Sequence, residues 1–264
     1  MNTLSIENRS SNKHIYIQSG DIVKGGKQDR VISQDIVIRP KSGKVPLSAF
    51  CVEQGRWTNR GNEDVKSFSS SKNQLNSKKL KLAAKSRKSQ GEVWKEVDSA
   101  QKSLSSSMGR SVRSDKSATS LQLTLEDKEL QKLIKRYTEE LLPIINKQPN
   151  TIGYAFAING EFNSGDIYGS SHLFKKLWPK LLKATVVEAI SAREKGKKSS
   201  DYPAAKRNDI EDSLADALEG EKSENEVGKS VRIVTHESNK SVVFDTYDIE
   251  PEGKTKIHRN IIKK

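Results

Sequence analysis

Apolar and polar residues alternate along the first fifth of the chain. The runs "TLSIE", "HIYIQ", "DIVKG", "RVISQDIVI" and "VPLSAFCVE" are short and rich in β-branched residues. A period of two sends successive side chains to opposite faces of a sheet, so residues 3–57 predict antiparallel strands. Gly20-Asp21, Gly25-Gly26 and Lys41-Ser42-Gly43 punctuate them as turns. Pro40 and Pro46 suit strand ends or an edge. The expected unit is a sandwich or half-barrel, completed by strands from elsewhere. The first residues already read as a strand under way, which suggests that the chain begins part-way into a domain.

The pattern changes after residue 58. The Ser/Lys-rich stretch 59–89 predicts a loop and a short helix near 74–87. Val93, Trp94, Val97, Ala100 and Leu104 then recur at helical spacing, and a serine-rich loop is expected over 103–120. Residues 124–146 carry the clearest apolar stripe: Leu130, Leu133, Ile134, Tyr137, Leu141 and Ile145. Thr124 with Asp127 resembles a capping box, and Pro143 should end or kink the last turn. Ile152, Tyr154, Phe156 and Ile158 alternate before Asn159-Gly160, a type I′ hairpin signal. A helix is expected over 171–193, kinked or split at Pro179. A smaller helix over 204–218, a hairpin in "SVRIVTHESNKSVVFDTYDI" and a last strand in "KTKIHRNII" complete the chain. The class is α+β: an N-terminal antiparallel β unit with a helical, hairpin-containing C-terminal part. One domain over 3–264 divides into the β unit (3–58), a basic segment with a helix (59–120), a helix-hairpin-helix (121–193), a polar insertion (194–227) and terminal strands (228–264).

Charge adds one feature. The 264 residues carry a net +13. From 60 to 120 there are fourteen Lys/Arg against six Asp/Glu. Such a segment attracts nucleic acid or another polyanion, or is simply a solvated insertion. Phe68 and Trp94 are its only aromatics, which gives single-strand stacking little support. Nucleic acid is therefore the less favoured partner. No apolar run approaches the ~20 residues of a membrane-spanning helix, and the opening has no signal-peptide pattern. One cysteine, Cys51, cannot form an internal disulfide.

Two motifs carry candidate chemistry. In "GDIVKGGKQDR", Gly25 and Gly26 permit close backbone approach by a ligand. Lys27 and Arg30 add cations; Gln28 and Asp29 add hydrogen-bonding groups. The spacing is not that of a nucleoside-triphosphate P-loop, and a plain β-turn is the simpler alternative. In "FCVEQGRW", Cys51 lacks a nearby activating histidine, since His14, His172, His236 and His258 are scattered. Glu53 and Arg56 could pair to hold the loop. Alternatively, Arg56 grips an anion and Trp57 stacks on a base or sugar. Trp94 reads as core, and Ser170 or Ser171 as a helix cap. No His/Cys cluster has metal-ligand spacing, the acidic run 209–226 reads as a helix face and tail rather than a Ca²⁺ loop, and no cofactor is implied.

Taken together, "SGDIVKGGKQDRVISQDIVI", "FCVEQGRW" and "QGEVWKEV" resemble the ARG and rhodanese-phosphatase-superfamily-associated protein domain. This is a bacterial family associated with ADP-ribosylglycohydrolases. The resemblance runs from Leu4 to Ala192, and more faintly into the final strands, without the family's usual opening segment. It implies a role near ADP-ribose or NAD-derived metabolites. The leading expectation is a binding or accessory module for an anionic small molecule, with Lys27, Gln28, Asp29, Arg30, Glu53, Arg56 and Trp57 as the ligand-binding set. The alternatives are a hydrolytic enzyme using Glu53 or Asp29 as base, and nucleic-acid binding through 60–120.

Overall fold

The computed structural model describes residues 4–56, 58, 64, 66–249 and 255–264. Trp57, an expected ligand-binding residue, lies outside the described residues. Among them are six α-helices and fourteen strands, all paired antiparallel, so the α+β expectation holds. In the N-terminal part, β1 (Leu4–Glu7) pairs with β6 (Lys44–Leu47), and β2 (Ile15–Ile17) with β5 (Ile36–Ile38). A four-stranded sheet follows in the order β7-β4-β3-β8: Ala49–Cys51, Arg30–Ile32, Asp21–Gly25 and Phe68–Gln74.

From Lys66 onward the basic segment is built into the fold rather than standing free of it. Its expected first loop contains β8. Residues 78–87 form a short helix, α1 (Lys78–Leu82), followed by a π-helical turn (Ala83–Arg87). Helix α2 (Gln90–Met108) starts on a Ser89 cap and ends at Gly109, where φ is 68°. Glycine accepts that left-handed geometry without a Cβ penalty. Val93, Val97, Ala100 and Leu104 form its buried face, as their spacing predicts. Trp94, expected in the core, is only half-buried. Two boundaries also move. Helix α3 (Leu121–Leu125) and helix α4 (Lys128–Leu141) are separate, and Asp127 caps α4 by accepting from the Leu130 amide. Asp127 is thus the N-cap itself and not the third residue of a box begun by Thr124. A 3-10 turn, Leu142–Lys147, follows at Pro143.

The Asn159-Gly160 turn has φ of 54° and 82° and joins β9 (Gly153–Ile158) to β10 (Glu161–Tyr168). Helix α5 (Ser171–Ser191) runs through Pro179 as one helix, capped at its start by Ser170. Helix α6 (Asn208–Leu218) precedes β11 (Glu221–Val227), β12 (Val231–Glu237), β13 (Ser241–Asp248) and β14 (Thr255–Lys263). The first part of the acidic run is the expected helix, α6, whereas the part expected as a tail supplies the edge strand β11. The six-stranded sheet has the order β11-β12-β13-β14-β10-β9. Helix α6 covers one face, where Ile210, Leu214 and Ala217 meet Phe162, Val243 and Ile261.

The main core joins the four-stranded sheet to α2–α5, with Ile22, Phe50, Leu80, Leu104, Leu121 and Phe174 sealed inside. Burying one such side chain contributes about 1.5–3 kcal/mol, whereas exposed pairs such as Lys135–Glu139 contribute about 0–1 kcal/mol. Apolar burial therefore dominates what holds the domain together.

Candidate functional site

The expected ligand-binding set folds largely inward. Gln28, Asp29 and Glu53 are fully buried, Arg30 is nearly so, Arg56 is partly buried, and among the described members Lys27 alone is exposed. Their convergence follows from strand pairing. Arg30 of β4 lies opposite Cys51 of β7, and the Val52 amide donates to the Asp29 carbonyl at 3.1 Å. The loop after β7 then turns Arg56 back over both carboxylates. Its Nη2 is 2.7 Å from Glu53 Oε2 and 3.9 Å from Asp29 Oδ1, while Nη1 donates to the Thr58 carbonyl at 2.6 Å. Asp29 Oδ1 also accepts from the Gly25 amide, and Arg30 reaches Gln28 at 3.4 Å.

The chain itself occupies the space beside the glycine pair. A Cβ on Gly25 would collide with the Ser67 carbonyl, and one on Gly26 would come within 2.6 Å of the Phe68 ring. These glycines therefore admit β8 against the turn. Cys51 is bracketed by Gln90, whose amide accepts from the Cys51 N–H and donates to its carbonyl, both at 2.9 Å. Arg56 also faces an open hollow of about 510 Å³, with Lys116 and Thr119 across it.

A second cluster lies on the inner face of the six-stranded sheet, and sequence reasoning did not assemble it. Cross-strand register places Thr246, His258 and Tyr168 in one row and Phe244, Asn260 and Asp166 in the next. Asp35, on the connection between β4 and β5, descends onto this face. His258 Nδ1 is 2.7 Å from Asp35 Oδ2, and its Nε2 is 2.9 Å from Asp166 Oδ1. All three are buried. Asp35 also accepts from Tyr16 Oη, Thr246 Oγ1 and the Ser19 amide at 2.8–2.9 Å. Asn260 donates to Asp166 at 2.9 Å. Tyr168 stacks on the imidazole, with centroids 4.6 Å apart, and Tyr16 meets it edge-on.

Burial alone would keep His258 neutral, but the two carboxylates outweigh it and raise its pKa. Burial likewise pushes the aspartates up, yet the neighbouring imidazole holds Asp35 and Asp166 below the usual carboxylate range. The triad therefore favours the imidazolium form of His258 between the two carboxylates.

This triad opens to a cavity through Asp35. The cavity is about 110 Å³ and is bounded by Asp35, Lys85, Ser86, Glu237, Phe244 and Thr246. Lys85 projects from the π-helical turn, an irregularity often found at functional sites. Its Nζ donates to Asn260 Oδ1 at 3.1 Å and lies 4.4 Å from the Phe244 ring centroid. Burial lowers the pKa of its ammonium, while Asp35 and Asp166 oppose that shift. No ion pair within 4 Å forms at Lys85 among the described residues, whereas Glu237 is held by Lys264 at 2.6 Å and by Ser86 at 2.9 Å. Polar side chains within otherwise apolar runs were the available signal: Asp35 in "VISQDIVI", and His258 and Asn260 in "KIHRNII". Among the described residues no acidic, histidine or cysteine cluster could hold a metal ion, and no helix is long and apolar enough to cross a membrane.

The profile of the ARG and rhodanese-phosphatase-superfamily-associated protein domain matches residues 1–259. The chain belongs to this family. No curated protein and no solved structure matches it. The family description names association with other protein superfamilies, so ligand and chemistry have to be argued from the side chains.

Proposed function

We propose that this domain is a binding module for an anionic small molecule, seated in the cavity above Asp35 and Lys85. The observation that carries the reading is the imbalance of partners there. Asp35 has His258 and Glu237 has Lys264, while the Lys85 ammonium has an amide oxygen and an aromatic face. Asp35 and Asp166 act on this half-buried cation only from beyond ion-pair distance, and both already face His258, so a ligand that brings an anionic group into direct contact suits it. The family's association with ADP-ribosylglycohydrolases makes ADP-ribose and NAD the first molecules to try.

A second reading keeps the ligand at the originally expected set, in the hollow where Arg56 faces Lys116. It has less support, because Arg56 already contacts Glu53, Asp29 and the Thr58 carbonyl. A hydrolytic role for Glu53 or Asp29 has less still: both are sealed from solvent, and a general base must reach its substrate. Nucleic-acid binding through 60–120 is weakened by the burial of one face of α2 in the core.

Calorimetric titration with ADP-ribose, NAD and pyrophosphate tests these readings. Lys85→Met should weaken binding at least ~10-fold, equivalent to about 1.4 kcal/mol, while Arg56→Lys leaves it unchanged. The reverse pattern would move the ligand to the Arg56 hollow. Absence of binding to the folded protein at millimolar ligand would overturn both locations.

A further inference from the structure

Ser86 and Glu237, joined by a hydrogen bond of 2.9 Å, stand at the edge of the cavity above Asp35. Both residues also line a second, larger basin of about 430 Å³. Its cations are Lys79, Arg87, Lys95 and Lys264, and its carboxylates are Glu96 and Glu237. Glu237 is matched by Lys264. Arg87 and Lys95 share one further carboxylate, Glu92, at 3.0 and 3.9 Å. Lys79 has no ion pair among the described residues. The sequence explains this bias: "KKLKLAAKSRK", residues 78–88, holds six cations and no acid. The short helix and π-helical turn lay that segment along both hollows.

Size separates the two parts. A buried water needs about 10–15 Å³, so the inner cavity of about 110 Å³ suits one compact polar group. Whole-ligand pockets span about 300–1,000 Å³, a range the outer basin enters. Hydroxyls and amides line the inner part, from Ser33, Gln34, Ser223, Asn225 and Thr235, as a hydroxylated ligand would require.

Resting on the binding reading above, we propose that the cleft takes a sugar-bisphosphate-like ligand: one anionic group beside Lys85, the second on Lys79, Arg87 and Lys95, and a short hydroxylated chain crossing Ser86. Two anionic groups engaged at once gain over one because the second contact is intramolecular.

Titration with fructose 1,6-bisphosphate and fructose 6-phosphate tests the two-part cleft. Wild type should prefer the bisphosphate at least ~10-fold, equivalent to about 1.4 kcal/mol. The exposed pair Lys79→Gln/Lys95→Gln should erase that preference while keeping monophosphate affinity. Lys85→Met should weaken both ligands. Lys132→Gln, on α4 outside both hollows, should change neither, which separates a built subsite from general attraction to a basic protein. Equal affinity for the two phosphates in wild type, or a full preference in the Lys79/Lys95 variant, would overturn the second subsite and leave the inner one standing. Binding of neither phosphate would overturn the proposed ligand class, and the ADP-ribose, NAD and pyrophosphate titrations then decide the inner cavity separately.

Discussion

The two buried ionic clusters differ most in how far apart their members lie in the chain. Glu53 and Arg56 are three residues apart, and strand pairing brings Asp29 under them. Asp35 and His258 are 223 residues apart, and Asp166 comes from a third segment. The first cluster ties a loop to the strands beside it. The second fastens the N-terminal part to the inner face of the six-stranded sheet and supports the cavity. A local pair can lose a member and let its loop relax. A pair joining two sheets has no comparable freedom, so damage there should spread.

The sharpest way to break this contrast is Asp35→Ala. It removes one of the two carboxylates that hold His258 and leaves Tyr16, Thr246 and Ser19 without their shared acceptor. Breaking a buried ion pair from one side costs about 3–5 kcal/mol. Urea unfolding at neutral pH should show a loss in that range. A loss below about 1 kcal/mol would mean that the cluster is incidental to the join between the two parts.

Arg56→Ala should cost somewhat less, about 3 kcal/mol, because the loop carrying Glu53 can open towards the adjoining hollow. Arg56→Lys should recover part of the loss: a lysine can meet Glu53 but cannot also hold the Thr58 carbonyl with a planar fork. If Arg56→Ala proves more damaging than Asp35→Ala, chain separation is the wrong explanation for the difference between the clusters.

The pH dependence should also differ. The His258 pKa is raised above its ordinary 6.5. Its contribution is therefore complete below that value and lost as pH rises through the raised folded pKa. Asp35 and Asp166 are lowered, so their contribution is present above the ordinary carboxylate range and lost as pH falls through their depressed values. Between pH 6.5 and the raised histidine value, stability should fall by up to about 1.4 kcal/mol per pH unit. His258→Gln should flatten that limb, measured as unfolding free energy against pH, while Arg56→Ala should leave it in place. A limb that persists in His258→Gln would assign the titration to another group.

The same distinction between local and distant partners explains what could be read from the sequence. Helix α2, the Asn159-Gly160 hairpin and the β12–β13 hairpin were legible because each carries its own periodicity or turn residues. Strands β8, "FSSSKNQ", and β11, "EKSENEV", were not. They are polar edge strands created by the ladders of β3 and β12, which is pairing information and not pattern. Gly25 and Gly26 were correctly singled out as close-approach positions, but β8 occupies the approach, and that too depends on the ladder. The Glu53–Arg56 pair was visible as a spacing. Asp35, Asp166 and His258 were visible only as polar residues in the wrong places, and without topology nothing joined them.

The smallest predicted effect concerns the lone thiol. Cys51 ends β7 half-exposed, with its backbone held on both sides by Gln90. Its side chain contributes packing alone, so Cys51→Ala should cost at most about 1 kcal/mol. Gln90→Ala removes two hydrogen bonds and leaves the Cys51 N–H and carbonyl to find water, which should cost about 1–2 kcal/mol. The order is opposite to the one expected if the thiol itself mattered. Melting temperatures of the two variants decide it: the Gln90 variant should melt below the Cys51 variant. If Cys51→Ala instead melts lower or loses ligand binding that Gln90→Ala retains, the sulfur has a role that its surroundings do not account for, and attention returns from the Asp35–His258 cluster to the turn around Arg56.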